Sequence, residues 1–276
     1  MIQSFPSRIV LELTPLCNLA CFMCPRHYIG EKDGYMEENL FLRLVDEVAQ
    51  ENPKAVVLPF WRGESCLHKL FVPLLQYAID KGLRIHLSTN GHFMSEENCR
   101  IFYQCEFITF SIHTDIGYQN ALKLIQNKPK DSQTTFQISF VDTEKTTNKY
   151  LQDCVRDSSL LEFDSVRLYK QHTIGGEFGK NGEKKHQKRH FCPKLVHTFV
   201  VSSDGYFSRC NHIWEPCKEM NLKESSIKEV WHSKIMQKIR QEYPDKHCDP
   251  CDQWSGHTCG EVWNKKNGQI IHKIFN

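Results

Sequence analysis

Residues 8–25 read Arg-Ile-Val-Leu-Glu-Leu-Thr-Pro-Leu-Cys-Asn-Leu-Ala-Cys-Phe-Met-Cys-Pro. The stretch 8–14 is rich in apolar and β-branched residues and stops at Pro15, which predicts a strand followed by a loop. That loop carries Cys17, Cys21 and Cys24. In parallel α/β folds the loop leaving the C-terminal end of a strand is where ligands bind, so three thiols there read as a site.

Working outward, the same alternation of short apolar runs and longer amphipathic stretches repeats. Strands are expected at 8–14, 54–60, 84–89, 107–112, 134–141 and 164–169, with helices at 37–51, 69–81, 95–104, 118–126 and 145–157. Strand-helix repetition of this kind builds a parallel sheet. Six strands fall short of the eight that close a full barrel, so the expected fold is α/β, an open, partial (β/α)6 TIM-like barrel. Residues 175–190 mix glycines with clustered lysines and read as a linker, which divides the chain into a barrel at 1–190 and a small cysteine-rich unit at 191–276. Within that unit, 198–209 predicts a hairpin turning at Asp204-Gly205, and 224–242 has the apolar spacing of a helix.

Composition narrows the function classes. The chain has 276 residues and a net charge of +2, so it lacks the basic footprint of nucleic-acid or anionic-membrane binding. No run approaches the ~18 apolar residues of a membrane span, and the N-terminus has neither the charged start nor the apolar core of a secretory signal. A cytoplasmic protein is expected. Thirteen cysteines in that setting point to metal or redox chemistry rather than a disulfide framework.

Three thiolates are one fewer than the four that close a structural zinc site or an electron-carrying iron-sulfur cluster. A trio therefore leaves one metal position open to a substrate or cofactor. Read alone, it also allows a zinc knuckle or simple core cysteines. The Cys-x3-Cys-x2-Cys spacing, with Asn18-Leu19 after the first cysteine and Pro25 after the last, resembles the motif of the radical S-adenosylmethionine (SAM) superfamily. Met23 stands where that family often has an aromatic residue. The resemblance implies a [4Fe-4S] cluster on Cys17, Cys21 and Cys24 whose open iron chelates SAM. It further implies reductive cleavage of SAM to a 5'-deoxyadenosyl radical that abstracts hydrogen from substrate.

Further motifs stand at successive strand ends. Trp61-Arg62-Gly63-Glu64-Ser65 is similar to the family's Gly-Gly-Glu-Pro motif at the SAM amino group, with Arg62 in place of the first glycine and Ser65 in place of proline. Gly63 and Glu64 keep its core. Ser88-Thr89-Asn90-Gly91 ends the third expected strand and Ser111-Ile112-His113 the fourth. The resemblance makes Gly63, Glu64, Ser88 and Ser111 candidate cofactor contacts, and His113 and Tyr169 candidate substrate or acid-base residues. Lys170, Gln171 and His172 close the sixth strand and are read as structural.

In the second unit Cys192, Cys210, Cys248 and Cys251 make four thiolates, enough to close a site. A four-cysteine zinc ribbon has the same ligands. The pattern resembles the SPASM and twitch extensions of the same superfamily, and the cysteine count fits one auxiliary [4Fe-4S] cluster, two clusters in all. Cys217 and Cys259 are possible substitutes in the set, while Cys66, Cys99, Cys105 and Cys154 read as ordinary core or surface residues. In architecture the chain is similar to the aminocyclitol dehydrogenase type of the butirosin pathway.

A fully ligated second cluster suits electron uptake, so the favoured expectation is two-electron oxidation of a small polar metabolite such as a sugar or aminocyclitol, with a flavodoxin or ferredoxin as electron donor. The second is radical modification of a ribosomally made peptide, by thioether, carbon-carbon crosslink or epimerisation. With sixteen residues before Cys17, no N-terminal peptide-recognition domain is expected. The third is a non-catalytic iron-sulfur carrier or sensor.

Overall fold

The computed structural model describes residues 2–26, 33–142, 163–170, 191–245, 248, 251 and 259–274. The chain divides into two compact units. The first comprises Met1–Ala20, Cys24–Ile85 and His172–Ser255, and the second Cys21–Met23, His86–Gln171 and Gly256–Asn276. The expected helix at 145–157 and linker at 175–190 lie outside the described residues, as does the boundary expected at residue 190.

In the first unit, β1 (Arg8–Leu11) lies between β2 (Val56–Leu58) and β7 (Thr198–Val201), parallel to both. Pro59 cannot donate to a ladder, which is why β2 stops short of the expected residue 60. Phe199, Val200 and Val201 are fully buried, the continuous apolar run of a strand covered on both faces. The strand that opens the expected hairpin therefore joins the sheet beside β1. It continues through the turn at Gly205, whose φ is +88°, into β8 (Tyr206–Ser208) and then β9 (Cys217–Asn221), both antiparallel. α1 (Glu38–Glu51) buries Leu40, Phe41, Leu44, Val45 and Val48, and α2 (Phe71–Asp80) buries Phe71, Leu74, Leu75 and Ala78. Each of these side chains larger than alanine contributes about 1.5–3 kcal/mol.

Before β7 comes the short α5 (Lys194–His197); between β3 (Arg84–Thr89) and it lie the elements of the second unit. The single helix expected over 224–242 is instead two, α6 (Ile227–Trp231) and α7 (Lys234–Gln241). Ser226 starts the first with a capping box and Ser233 starts the second, its hydroxyl accepting from Met236 N at 3.2 Å. A serine that satisfies a helix's free N–H groups begins a helix, and here it interrupts an unbroken apolar pattern. Arg240 lies over the Trp231 ring at 4.1 Å and donates to Leu195 O and Trp231 O, fastening both helices to the segment that follows Cys192.

In the second unit the latter part of β3 pairs in parallel with β4 (Phe107–Ser111), β4 with β5 (Thr135–Asp142) and β5 with β6 (Ser165–Lys170). Leu87, Ile108, Phe110, Phe136, Ile138, Val166 and Leu168 are buried on one face. α3 (Glu96–Phe102), capped by Ser95, and α4 (Asp115–Gln126), capped by Thr114, supply the partner layer, with Tyr103 edge-on to Phe136 at 6.4 Å. The Thr114 cap starts α4 three residues earlier than periodicity alone predicts. The opposite face carries Ser88, Thr109, Ser111, Gln137, Ser139, Ser165, Arg167 and Tyr169.

Residues 259–274, expected in the C-terminal unit, belong to the second unit as a hairpin. β10 (Cys259–Lys266) runs antiparallel to β6, and β11 (Gln269–Ile274) returns along it. Asn267 and Gly268 turn with φ of 52° and 76°, the positive pair that a two-residue hairpin requires.

Candidate functional site

The backbone that enters the first cysteine loop is held from several sides. Met36 N donates to Leu13 O at 2.8 Å and Glu64 N to Leu16 O at 2.7 Å. The Thr14 hydroxyl donates to Gly34 O at 2.7 Å and accepts from Leu16 N at 3.2 Å. Gly63 has no room for a side chain: a Cβ would sit 2.3 Å from Leu16 O and 2.4 Å from Thr14 O. The segment after β2 is thus pressed against the residues just before Cys17, which explains why the Gly-Glu core of the motif survives. Cys17, Cys21 and Cys24 are each partly exposed. Burial pushes the Cys24 thiol up, and Cys17 adds to the rise, so these two sulfurs are electrostatic neighbours.

The residue that departs from the family pattern has its own partner. Arg62 is buried, and its Nε and NH2 donate to the two oxygens of buried Glu12 at 2.7 and 2.5 Å. Glu12 also accepts from Arg62 N at 3.2 Å and Ser203 N at 3.1 Å, while Arg62 NH1 donates to Trp214 O at 3.1 Å. Next to it, Trp61 Nε1 donates to Asn211 O at 2.8 Å. The end of β2 is therefore tied to the loop that holds Cys210. Sequence reasoning missed this pairing, although an acidic residue inside an apolar strand is a signal that a buried cation must meet it.

Glu64 is buried and caps the short turn Ser65–Leu67, accepting from Cys66 N at 3.2 Å. Ser65, in place of proline, donates to Pro59 O at 2.5 Å. His68 follows, with Nδ1 accepting from Leu70 N at 3.1 Å and Nε2 set against Met36 O at 3.0 Å. Burial pulls its pKa down, which matches a neutral ring bonded at both nitrogens.

In the second unit, Ser88 is half-buried at the polar face of β3, and the turn after it is fixed: Gly91 N donates to Thr89 Oγ1, His92 N to Asn90 Oδ1, and Asn120 Nδ2 to Gly91 O. Ser111 Oγ and His113 Nε2 stand 3.4 Å apart, and burial holds the His113 pKa below its ordinary value. Tyr169 OH accepts from Arg167 NH1 at 3.5 Å. Arg167 itself was overlooked; its signal was a charged residue in the alternation Ser165, Arg167, Tyr169 opposite buried Val166 and Leu168. The Lys170 side chain, Gln171 and His172 lie outside the described residues.

The four later cysteines come together. Cys192, Cys210, Cys248 and Cys251 line one cavity, with Lys194, Arg209, His212 and Tyr243 also on its wall. Burial pushes the Cys210 thiol up to about 11, and Cys192 and Cys251 add to the rise. Cys248 is pushed up to about 12, again chiefly by burial. Cys248 N donates to Asp245 O at 2.8 Å, Asp245 pairs with Arg209, and Cys251 N donates to Cys248 O at 3.0 Å. Among the described residues no three His, Cys, Asp or Glu side chains close tightly around a single-ion position. Four thiols around one small cavity, which become electron-pair donors to metal on losing their protons, suit a multi-iron cluster as ligand set.

Cys217, at the start of β9, lines a neighbouring cavity of about 420 Å³ that shares Arg209, Ile213 and Ile239 with the four-cysteine cavity but holds none of its cysteines. Cys259 begins β10 opposite Tyr169. Cys105 is buried, its thiol pushed up to about 12 by burial, and Cys66 and Cys99 are half-buried; Cys154 lies outside the described residues.

Comparison with known families agrees with this arrangement. Residues 11–138 match the model of the radical SAM superfamily, and residues 192–252 match SPASM, an iron-sulfur cluster-binding domain. The chain therefore carries a radical SAM domain followed by a SPASM domain. The second match begins at Cys192 and takes in all four cysteines of the cavity. BtrN, solved in complex with AdoMet and 2-DOIA, superposes with a TM-score of 0.67 at 15% identity, over 98% of this chain and 100% of that one. SuiB from Streptococcus suis, solved bound to precursor peptide SuiA, gives a TM-score of 0.68 at 13% identity, over 91% of this chain and 70% of that one. At such identities the likeness is one of fold, the α/β partial barrel with its cysteine-rich extension. A curated relative, the tungsten-containing aldehyde ferredoxin oxidoreductase cofactor-modifying protein of Pyrococcus furiosus, is 31% identical over 90 residues, 32% of this chain. That match spans 25% of the relative's own length. No helix of the described residues is long and apolar enough to cross a membrane.

Proposed function

We propose that this radical SAM protein cleaves SAM reductively and oxidises a small polar metabolite by two electrons. Cys17, Cys21 and Cys24 would hold the first [4Fe-4S] cluster, and Cys192, Cys210, Cys248 and Cys251 the second. The observation that carries the reading is the cavity walled by all four later cysteines, since a closed ligand set has no vacancy for substrate and suits electron transfer.

When bound, SAM and the two clusters supply removal of a hydrogen atom from substrate and a sink for the electron left behind. The chain supplies the rest. Gly63 lets the backbone after β2 approach the cysteine loop, and Glu64, Ser88 and Ser111 offer polar contacts for SAM. Oxidation of a hydroxyl-bearing carbon to a ketone releases a hydrogen atom, an electron and a proton. His113, kept neutral by burial, has a ring nitrogen able to take that proton, with Tyr169 as the second candidate. A flavodoxin- or ferredoxin-type donor supplies the starting electron.

Anaerobic incubation of reconstituted protein with dithionite and SAM tests the reading. It predicts 5'-deoxyadenosine and, with the right metabolite, a product lighter by two hydrogens. Use of SAM as a methyl donor, or a crosslinked peptide product, would replace it.

A further inference from the structure

On the polar face of the second unit's sheet, Arg167 has no ion-pair partner among the described residues. Its strands stand in register, so Ser111 of β4, Ser139 of β5 and Arg167 of β6 lie side by side on one face. The row next to them is already satisfied internally: Gln137 Nε2 donates to Thr109 Oγ1 at 3.0 Å, and Ser165 Oγ donates to Gln137 Oε1 at 3.2 Å. Arg167 is different. Its Nε is buried and has no hydrogen-bond partner among the described residues, and NH1 makes a single long contact, 3.5 Å, to Tyr169 OH.

A buried guanidinium edge left without an acceptor loses its water and gains nothing in exchange, so native proteins rarely keep one unless a ligand completes it. The planar fork of arginine matches a carboxylate or phosphate, which can accept from Nε and a terminal nitrogen together. Around it stand Ser111 and His113, 3.4 Å apart, and Ser139, whose hydroxyl donates to Phe110 O at 3.4 Å and keeps its lone pairs to accept from a sugar hydroxyl. Anion fork, serine hydroxyls and an imidazole lie along one strand-end row.

We infer that Arg167 is the anchor for an acidic group on the substrate, so that the metabolite oxidised here is a hydroxy compound bearing a carboxylate or phosphate, not a neutral polyol. The inference rests on the proposed oxidation for its chemistry and on Arg167 alone for its charge.

The test uses reconstituted holoenzyme with saturating SAM and three probes: glucuronate, glucose 6-phosphate and glucose. Binding is read by ligand-observed NMR. At least one acidic probe is expected to bind about tenfold or more tightly than glucose, the usual return of a charge-assisted pair. Arg167→Met should erase that preference, Arg167→Lys should keep part of it, and neither should shift SAM affinity or 5'-deoxyadenosine formation in the absence of substrate. Equal binding of acidic and neutral probes overturns the inference. So does a loss of SAM affinity in Arg167→Met with probe binding intact, because the guanidinium would then hold the carboxylate of SAM. Failure of the wild type to form 5'-deoxyadenosine would count against the proposed oxidation and leave the binding comparison to stand or fall by itself.

Discussion

Arg62 and Glu12 form a two-pronged ion pair inside the protein, at 2.7 and 2.5 Å, with both side chains almost wholly shielded from water. Their remaining bonds reach Ser203 and Trp214, so the pair joins the ends of β1 and β2 to the stretch around Cys210. Removing one partner strands a buried charge, which costs about 3–5 kcal/mol. Arg62→Met and Glu12→Gln should each lower the thermal midpoint of the anaerobic protein by roughly 6–20 °C. The double variant Glu12→Leu/Arg62→Met should recover much of that loss. Additive losses in the double variant would show that the two side chains act separately.

Gly63→Ala places a methyl group where Leu16 O and Thr14 O already stand, 2.3 and 2.4 Å away. Backbone must move, and the backbone that moves leads into Cys17. The variant should form 5'-deoxyadenosine about tenfold more slowly or worse, since each ~1.4 kcal/mol lost from the reacting geometry is a factor of ten. Far-ultraviolet circular dichroism should stay near wild type. A wild-type cleavage rate would mean that the motif's glycine is not needed for close approach.

The parallel strands and the cysteine sets were legible in the sequence because both are local patterns: apolar runs such as Ile9-Val10-Leu11, and thiols at short spacing. What escaped depended on residues far apart in the chain. Val200 and Val201 read as a hairpin strand, and only the fold shows that they lie beside β1. Ser233 was hidden because the apolar positions on either side of it keep helical phase across the cap. The hairpin at 259–274 went unassigned although Asn267-Gly268 announced its turn, since its outer strand is exposed and has no buried face to set an alternation. Gly63 and Glu64 were read from their motif, but the partner of Arg62 lies 50 residues away, at Glu12.

Cysteine substitutions should sort into three groups. Ala at Cys17, Cys21 or Cys24 should remove about four irons per chain and abolish 5'-deoxyadenosine formation. Ala at Cys192, Cys210, Cys248 or Cys251 should also remove about four irons yet leave SAM cleavage running without substrate oxidation. Cys105→Ala, at a buried thiol that donates to Ile101 O, should leave the iron count unchanged. Iron and sulfide analysis beside product chromatography checks all three. Loss of iron in Cys217→Ala equal to that in Cys210→Ala would put Cys217 into the auxiliary set.

His68 gives the fold a dependence on pH. Its Nδ1 accepts from Leu70 N, and a proton there would break that bond inside the protein. Burial depresses the folded-state pKa below that of the unfolded chain, near 6.5. The neutral ring's contribution is therefore complete above the unfolded value and is lost as pH falls from there through the folded value. The slope is at most about 1.4 kcal/mol per pH unit for one group. Thermal midpoints measured between pH 8 and pH 5 should fall with acidification. His68→Asn, which can still accept from Leu70 N, should start lower than wild type and flatten the decline. An unchanged slope in that variant would assign the acid sensitivity to His113, whose pKa burial lowers in the same direction.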